Sequence, residues 1–465
     1  MSRPLRRYLI GIAGCGILLA TLYGAASLYV DRTWYPGAPR AEFPEPANRL
    51  EARQQDLAYF RHYLNLDKSY TSDSRAAAEF LLAQLEPELD SVSDAGFQLG
   101  IARAVAAADN GHYNIWMGRF SRAHGRIPLR LYWFSDGLYV VRAHPDHAEL
   151  LGSQLLSLNG VEVDVASRQL REFVGGTDEA FRAYRGPALF EIPAAHPPAG
   201  LGITERQSQF SFRRQDGNVV SRTLAARELD EDAPLYWPNR YLYAQLPEGG
   251  KDDWLALASG LDPVPRYLQN PERAFQLQEL PQQGLYIQFR QNYGDDIEAF
   301  QQSVRLRLEQ QQPRYLVVDQ RFNGGGDYTL TEELMMDLPG LAGGAPIYVI
   351  TGPATFSAGI NSVAFVRAAG GKQVTIVGER IGDRERMYGE TNDFELPNSK
   401  LGMTFNTGLH DVANGCPPWP QCYWRNYLND VAVGPLDPDI EVASRFRDYA
   451  GGADPVLEHI LARHR

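Results

Sequence analysis

The sequence predicts a multidomain α+β protein with an N-terminal helical domain, a β-rich domain and a layered α/β domain. Three observations carry that expectation. Apolar residues recur at helical spacing between Leu50 and Ala108. From about Pro128 the period changes to strands separated by Asp136-Gly137, Asn159-Gly160 and Asp216-Gly217, all hairpin signals. From Gly284 onward, strand patterns alternate with helical ones, as crossover helices over a layered sheet require. The length of 465 residues suits several domains. A net charge of −12 and the lack of a basic stripe argue against a nucleic-acid partner.

Residues 1–30 hold three arginines followed by an uncharged apolar run from Tyr8 to Val30, long enough to cross a bilayer. Arginines before the run and Asp31 after it favour a cytoplasmic N-terminus, with everything downstream on the periplasmic side of the inner membrane. The rival is a cleaved signal segment ending near Gly24-Ala25-Ala26, which would leave a secreted or periplasmic protein. Residues 31–48, Pro-rich and polar, read as a tether, and 49–120 as the helical domain, whose last stripe stops at Asn110-Gly111. Residues 121–230 form the β-rich domain and 231–275 a linker or surface lobe. The α/β core spans 276–447, and a C-terminal helix follows over 448–465. Cys416 and Cys422 enclose a short loop with two internal prolines and a third proline, Pro420, near its end; in an oxidising compartment they are expected to form a disulfide. A metal site would need more His or Cys nearby than His410, so none is expected, and no cofactor is called for.

The chemistry concentrates between Tyr315 and Ile360. One apolar run ends in Asp319, Arg321 and Asn323, followed by Gly324, Gly325 and Gly326. A second ends at Thr355-Phe356-Ser357-Ala358, where a helix begins. A serine there can be a simple N-cap, but Thr355 offers a second capping hydroxyl, so one of the two is spare. At a helix N-terminus a serine also makes a favoured nucleophile, and a glycine loop beside it exposes N–H groups to an oxyanion. Gly325 and Ala358 are the expected donors.

The motifs Asp319-x-Arg321-x-Asn323-Gly-Gly-Gly, Thr355-x-Ser357-Ala358, Val377-Gly378-Glu379 and Pro438-Asp439-Ile440 resemble the catalytic core of the C-terminal-processing (tail-specific) and tricorn-type serine peptidases. That resemblance implies a crotonase- or Clp-like α/β core carrying a PDZ-like β domain, with Gly137, Leu138 and Tyr139 in a peptide-binding loop that captures a chain by strand addition. It implies an extracytoplasmic serine endopeptidase acting on extended or unfolded polypeptides. One branch of the family activates its serine with a lysine about 25 residues downstream; here that zone reads Arg380-Ile381-Gly382-Asp383-Arg384, and arginine is no usable base. The tricorn branch uses a histidine in an Asp-Gly-His-Thr-like setting, similar to Asp109-Asn110-Gly111-His112-Tyr113. The expected triad is therefore Ser357, His112 and Asp430, with Glu379 and Glu390 as rival acids and His410 as rival base. The other reading is a catalytically inactive PDZ-like peptide-binding protein; neither reading fixes the oligomeric state.

Overall fold

A computed structural model describes residues 3–112, 117–176, 184–229, 237–246 and 254–465, with the backbone alone for 3–17 and 117. Helix α1 (Arg3–Trp34) leads into α2 (Arg49–Leu66), α3 (Ser72–Leu85), α4 (Asp94–Ala106) and α5 (Met117–His124). The starts of α2, α3 and α4 follow from capping side chains: Asn48 accepts from Glu51 N, Thr71 from Ser74 N and Ser93 from Gly96 N. Among the described residues no helix is long and apolar enough to cross a membrane, so the expected anchor gains no support here. The side chains of the first half of that segment, Cys15 included, lie outside the described residues, as does Tyr113.

The second part comprises β1 (Leu129–Phe134), β2 (Gly137–Ala143), β3 (Gln154–Leu158), β4 (Val161–Glu162), α6 (Val163–Arg171), α7 (Pro187–Phe190), β5 (Gln207–Arg213), β6 (Val219–Ala225) and β7 (Leu255–Ala256). The sheet runs β1-β2-β3-β5-β6, with β4 on β3 and β7 on β2, and its pairings are antiparallel. Asn159 and Gly160 both take positive φ (49° and 82°), as a type I′ hairpin turn demands. The helices and this sheet are not separately cored. Phe60, Tyr63, Phe97 and Ile101 join Leu129, Leu155 and Phe210 in one apolar cluster that also takes in Phe394, Met403 and Phe405. The expected boundary near residue 120 thus runs through a shared interior.

The third part holds β8 (Phe275–Leu280), β9 (Gly284–Phe289), α8 (Ile297–Gln310), β10 (Tyr315–Asp319), α9 (Glu332–Leu341), β11 (Ile347–Thr351), α10 (Ala358–Gly370), β12 (Val374–Gly378), β13 (Arg386–Glu395), β14 (Gly402–Asp411), β15 (Ile440–Glu441), α11 (Phe446–Ala450) and α12 (Pro455–Ala462). Its sheet has the order β15-β12-β11-β10-β9-β8 and is parallel except for β8. Right-handed crossovers moving in one direction place α8, α9 and α10 on one face. There Ile287, Val318 and Val349 meet Val304, Leu338 and Val363. The opposite face, with Tyr286, Val317 and Ile350, is covered by Val456, Leu457 and Ile460 of α12. Burial on both faces explains why these strands read as unbroken apolar runs.

Strands β13 and β14 form a separate two-stranded ribbon, which the sequence did not suggest. Its base enters the α/β core through Met387, and its tip enters the helical core through Phe394 and Phe405. This ribbon ties the two cores together.

The peptide-binding loop expected at Gly137, Leu138 and Tyr139 does not fit strand addition. Strand β2 lies inside its sheet, with Tyr139 paired to Tyr132 on one side and to Gln154 on the other, so it has no free edge. Leu138 is fully buried. The chain's own segment 444–446 also sits on this loop: Ser135 N donates to Ser444 O (2.9 Å), Phe446 N to Asp136 Oδ1 (2.9 Å), and the Tyr139 and Phe446 rings stack at 3.9 Å.

Candidate active site

The loop after β10 is held by its own polar side chains. Asp319 is buried and accepts from Tyr286 Oη (2.6 Å) and from Arg321 N and Nε (3.0 and 3.1 Å). Arg321 reaches Asp454 at the start of α12 with two parallel bonds of 3.0 Å. Asn323 Nδ2 donates to Asn292 Oδ1 and Gln320 Oε1, both at 2.6 Å, and Asn323 O accepts Phe356 N at 2.9 Å. The Asp-x-Arg-x-Asn motif is therefore a brace that fixes the glycine loop against the serine turn.

That turn settles which hydroxyl is spare. Thr355 Oγ1 donates to Gln320 O (2.8 Å) and accepts from Gly352 N (3.0 Å), which commits it to the backbone. Ser357 stands at the N-cap of α10 but makes no capping bond, and its backbone lies at φ 53°, ψ −126°. A non-glycine residue held there costs of order 1–3 kcal/mol, and such strain marks functional turns. Ser357 is partly exposed between buried neighbours. A Cβ at Gly325 would lie 2.6 Å from Ser357 Cβ and 3.1 Å from Ala358 N, so only glycine admits the approach of loop to serine. The Ala358 N–H has no hydrogen-bond acceptor among the described residues, whereas the Gly325 N–H donates to Asn323 Oδ1 (3.0 Å). The two expected oxyanion donors thus differ: one is open and one is engaged.

His112 arrives from the far end of the helical lobe. Beyond α4, Asn110 clamps the loop to β13 from both sides: its Nδ2 donates to Tyr388 O (2.8 Å) and its Oδ1 accepts Tyr388 N (3.1 Å). Arg384 donates to Asp109 O as a second tie. The imidazole then lies over Phe356, the residue before Ser357, with ring centroids 4.4 Å apart. Its Nδ1 faces Asp383 Oδ2 at 3.6 Å, just beyond hydrogen-bond length, and both atoms are buried without another partner. Apo catalytic contacts are often this loose. Burial pushes the His112 pKa below its usual 6.5, with Asp383 opposing and His410 and Arg185 reinforcing the drop. The ring is accordingly neutral at neutral pH.

Asp383 is the residue that reasoning from sequence missed. It occupies the stretch where the lysine branch carries its base, and its only local signal was a carboxylate in that lysine-free zone. Asp430, the expected acid, is placed elsewhere: it accepts from Cys416 N (2.9 and 3.1 Å) and steadies the loop closed by the Cys416–Cys422 disulfide. Glu379 accepts from Ser444 N (3.3 Å), and its burial raises its pKa to about 7.

The other rival acid and the rival base pair with each other. His410 Nε2 lies 3.5 Å from Glu390 Oε1. Tyr328 Oη donates to Asn426 Oδ1 (2.6 Å), and Asn426 Nδ2 donates to Leu409 O (3.2 Å) and His410 Nδ1 (3.1 Å). This fixes the His410 proton on Nε2, facing Glu390. Glu390 also accepts from Tyr35 Oη (2.7 Å), which contacts Tyr423 Oη (2.8 Å). Burial would raise the Glu390 pKa, but His410 and then Tyr35 hold it below its usual range. The two imidazoles share the space above Gly389, where a Cβ would sit 3.2 Å from His410 Nε2 and 3.8 Å from His112 Nε2.

No family model matches the sequence, and no curated protein does. Solved structures do share the fold. Mature CPAF matches with a TM-score of 0.56 at 12% identity, covering 90% of this chain and 97% of that one. Mature CPAF complexed with lactacystin gives 0.55 at 12%, covering 89% and 98%. A match to the photosystem II D1 C-terminal processing protease reaches a TM-score of only 0.36 at 13% identity, covering 85% of this chain and 93% of that one.

Proposed function

We propose that this chain, whose fold is shared with CPAF over 90% of its length, is an extracytoplasmic serine peptidase of the C-terminal-processing and tricorn type that cleaves extended or unfolded polypeptides. The observation that carries this is the strained Ser357, free of any capping bond, whose neighbour Phe356 packs against a neutral imidazole backed by a buried carboxylate. In this reading Ser357 Oγ attacks the peptide carbonyl while His112 Nε2 takes its proton and passes it to the leaving amine. Asp383, rather than Asp430, orients Nδ1 and stabilises the imidazolium. The tetrahedral oxyanion forms against the Ala358 N–H at the start of α10, a donor of a kind worth roughly 3 kcal/mol in the transition state. The Gly325 N–H becomes the second donor when it leaves Asn323. Water then hydrolyses the acyl-enzyme, with His112 again as base.

Location outside the cytoplasm is supported by the disulfide. Leu18, Leu19, Leu22 and Tyr23, exposed along α1, favour a membrane-associated N-terminal segment. The direct test is degradation of unfolded casein by the wild-type protein and by Ser357→Ala. Cleavage by the wild type alone is expected, and equal cleavage by both would remove Ser357 from its role.

A further inference from the structure

A cavity of about 320 Å³ opens beside the glycine loop, with His112, Gly325 and Phe356 on its wall together with Arg185, Trp237 and Arg240. With Arg290 this makes three arginines in the lining, and no Asp or Glu lines it among the described residues. In a chain of net charge −12, that is a local reversal of sign. The three arginines are not equivalent. Arg290 is buried and donates to the carbonyls of Asn270, Arg273, Tyr267 and Gln269, which makes it a structural strut. The Arg185 guanidinium lies over both Trp237 (4.4 Å) and Phe356 (5.1 Å). Arg240 is partly exposed, and its guanidinium makes no ion pair or hydrogen bond among the described residues. Its turn is packed into the fold: Pro238, Asn239, Tyr241 and Leu242 around it are buried, and Tyr184 Oη donates to Asn239 Oδ1.

A planar fork on a packed turn, facing a cavity whose other cations reinforce its field, is suited to a carboxylate. Resting on the peptidase reading above, we propose that this cavity selects a carboxylate of the polypeptide substrate next to the scissile bond, with Arg240 as the specificity-determining residue. An Asp or Glu side chain and a free chain terminus offer the same group. Neutral and basic residues at that subsite would leave Arg240 unpaired and are discriminated against.

The test uses internally quenched peptides of one sequence, with Glu or Gln at each position flanking the cleaved bond and with a free or amidated C-terminus. The wild-type enzyme is expected to show kcat/KM about tenfold or more in favour of the acid at one subsite, or of the free terminus. Arg240→Gln should bring that ratio close to one by slowing the acidic peptide far more than the neutral one, and Arg240→Lys should fall between. A purely structural role would instead lower both rates together. Binding of the same peptides to Ser357→Ala, read by fluorescence anisotropy, separates the two readings. Carboxylate preference in binding without turnover by the wild type would sink the peptidase and keep the subsite. Turnover without preference for acid or free terminus, or a ratio that survives Arg240→Gln, would overturn the subsite and keep the peptidase.

Discussion

His112 and His410 both face Gly389, yet the structure gives them different partners. His410 sits on β14, flanked by ladder bonds, with Asn426 on one nitrogen and Glu390 on the other. Its proton position is dictated, and neither nitrogen is open to a substrate. His112 sits on a loop pinned by Asn110, with a carboxylate facing Nδ1 and no hydrogen bond at Nε2 among the described residues. The two imidazoles therefore each have a carboxylate neighbour but differ at the second nitrogen, and it is the open one that the proposed mechanism uses as base.

The largest effect expected from this contrast is on turnover. His112→Ala should lower kcat/KM by about 10⁴ or more, whereas His410→Gln should stay within roughly tenfold of wild type, measured on the same peptide. Comparable losses in both would erase the distinction. Next in size, Asp383→Asn should cost about 10²–10⁴ in kcat by losing the imidazolium's partner, with Glu390→Gln and Asp430→Asn far milder. A large Asp430→Asn effect on kcat with unchanged melting temperature would return the acid role to that residue.

The pH profile sharpens the comparison further. The His112 pKa in the folded protein lies below 6.5, so the acid limb of kcat/KM should bend below pH 6.5. The same depression has a stability consequence. The unfolded chain binds the proton near pH 6.5 and the folded chain only at lower pH, so this contribution is lost as pH falls through 6.5. The smallest effect is expected at Tyr35→Phe, which removes the bond to Glu390 and should cost about 1 kcal/mol of stability in denaturant titrations without altering turnover.

The parts of the site legible in the sequence are those written locally. Ser357 and the glycine loop each end a strand, so strand patterns followed by a helix and a triple glycine announce them within a few residues. The spare hydroxyl was legible as a choice between Thr355 and Ser357, and the Thr355 bonds to Gln320 and Gly352 decide it. His112 was legible only through the family resemblance, because nothing in a post-helix loop says which distant element it will touch. Asp383 faces it across the fold through packing that no local period records. The β13–β14 ribbon escaped because Glu390, Thr391, Asn392 and Asp393 carry no apolar alternation; its polar groups are satisfied by Trp34, Thr407 and the histidine network instead. The strand character of Gly137–Ala143 was readable and correct, but which edge a strand leaves free is a property of sheet order, and here that order closes both.

The most direct measurement is the rate at which a fluorophosphonate labels Ser357, located by peptide mass spectrometry, in wild-type, His112→Gln and His410→Gln proteins. The account predicts labelling at Ser357 in the wild type and in His410→Gln, and its near-abolition in His112→Gln with the fold intact by circular dichroism. Labelling that persists without His112, or that vanishes only without His410, would contradict it.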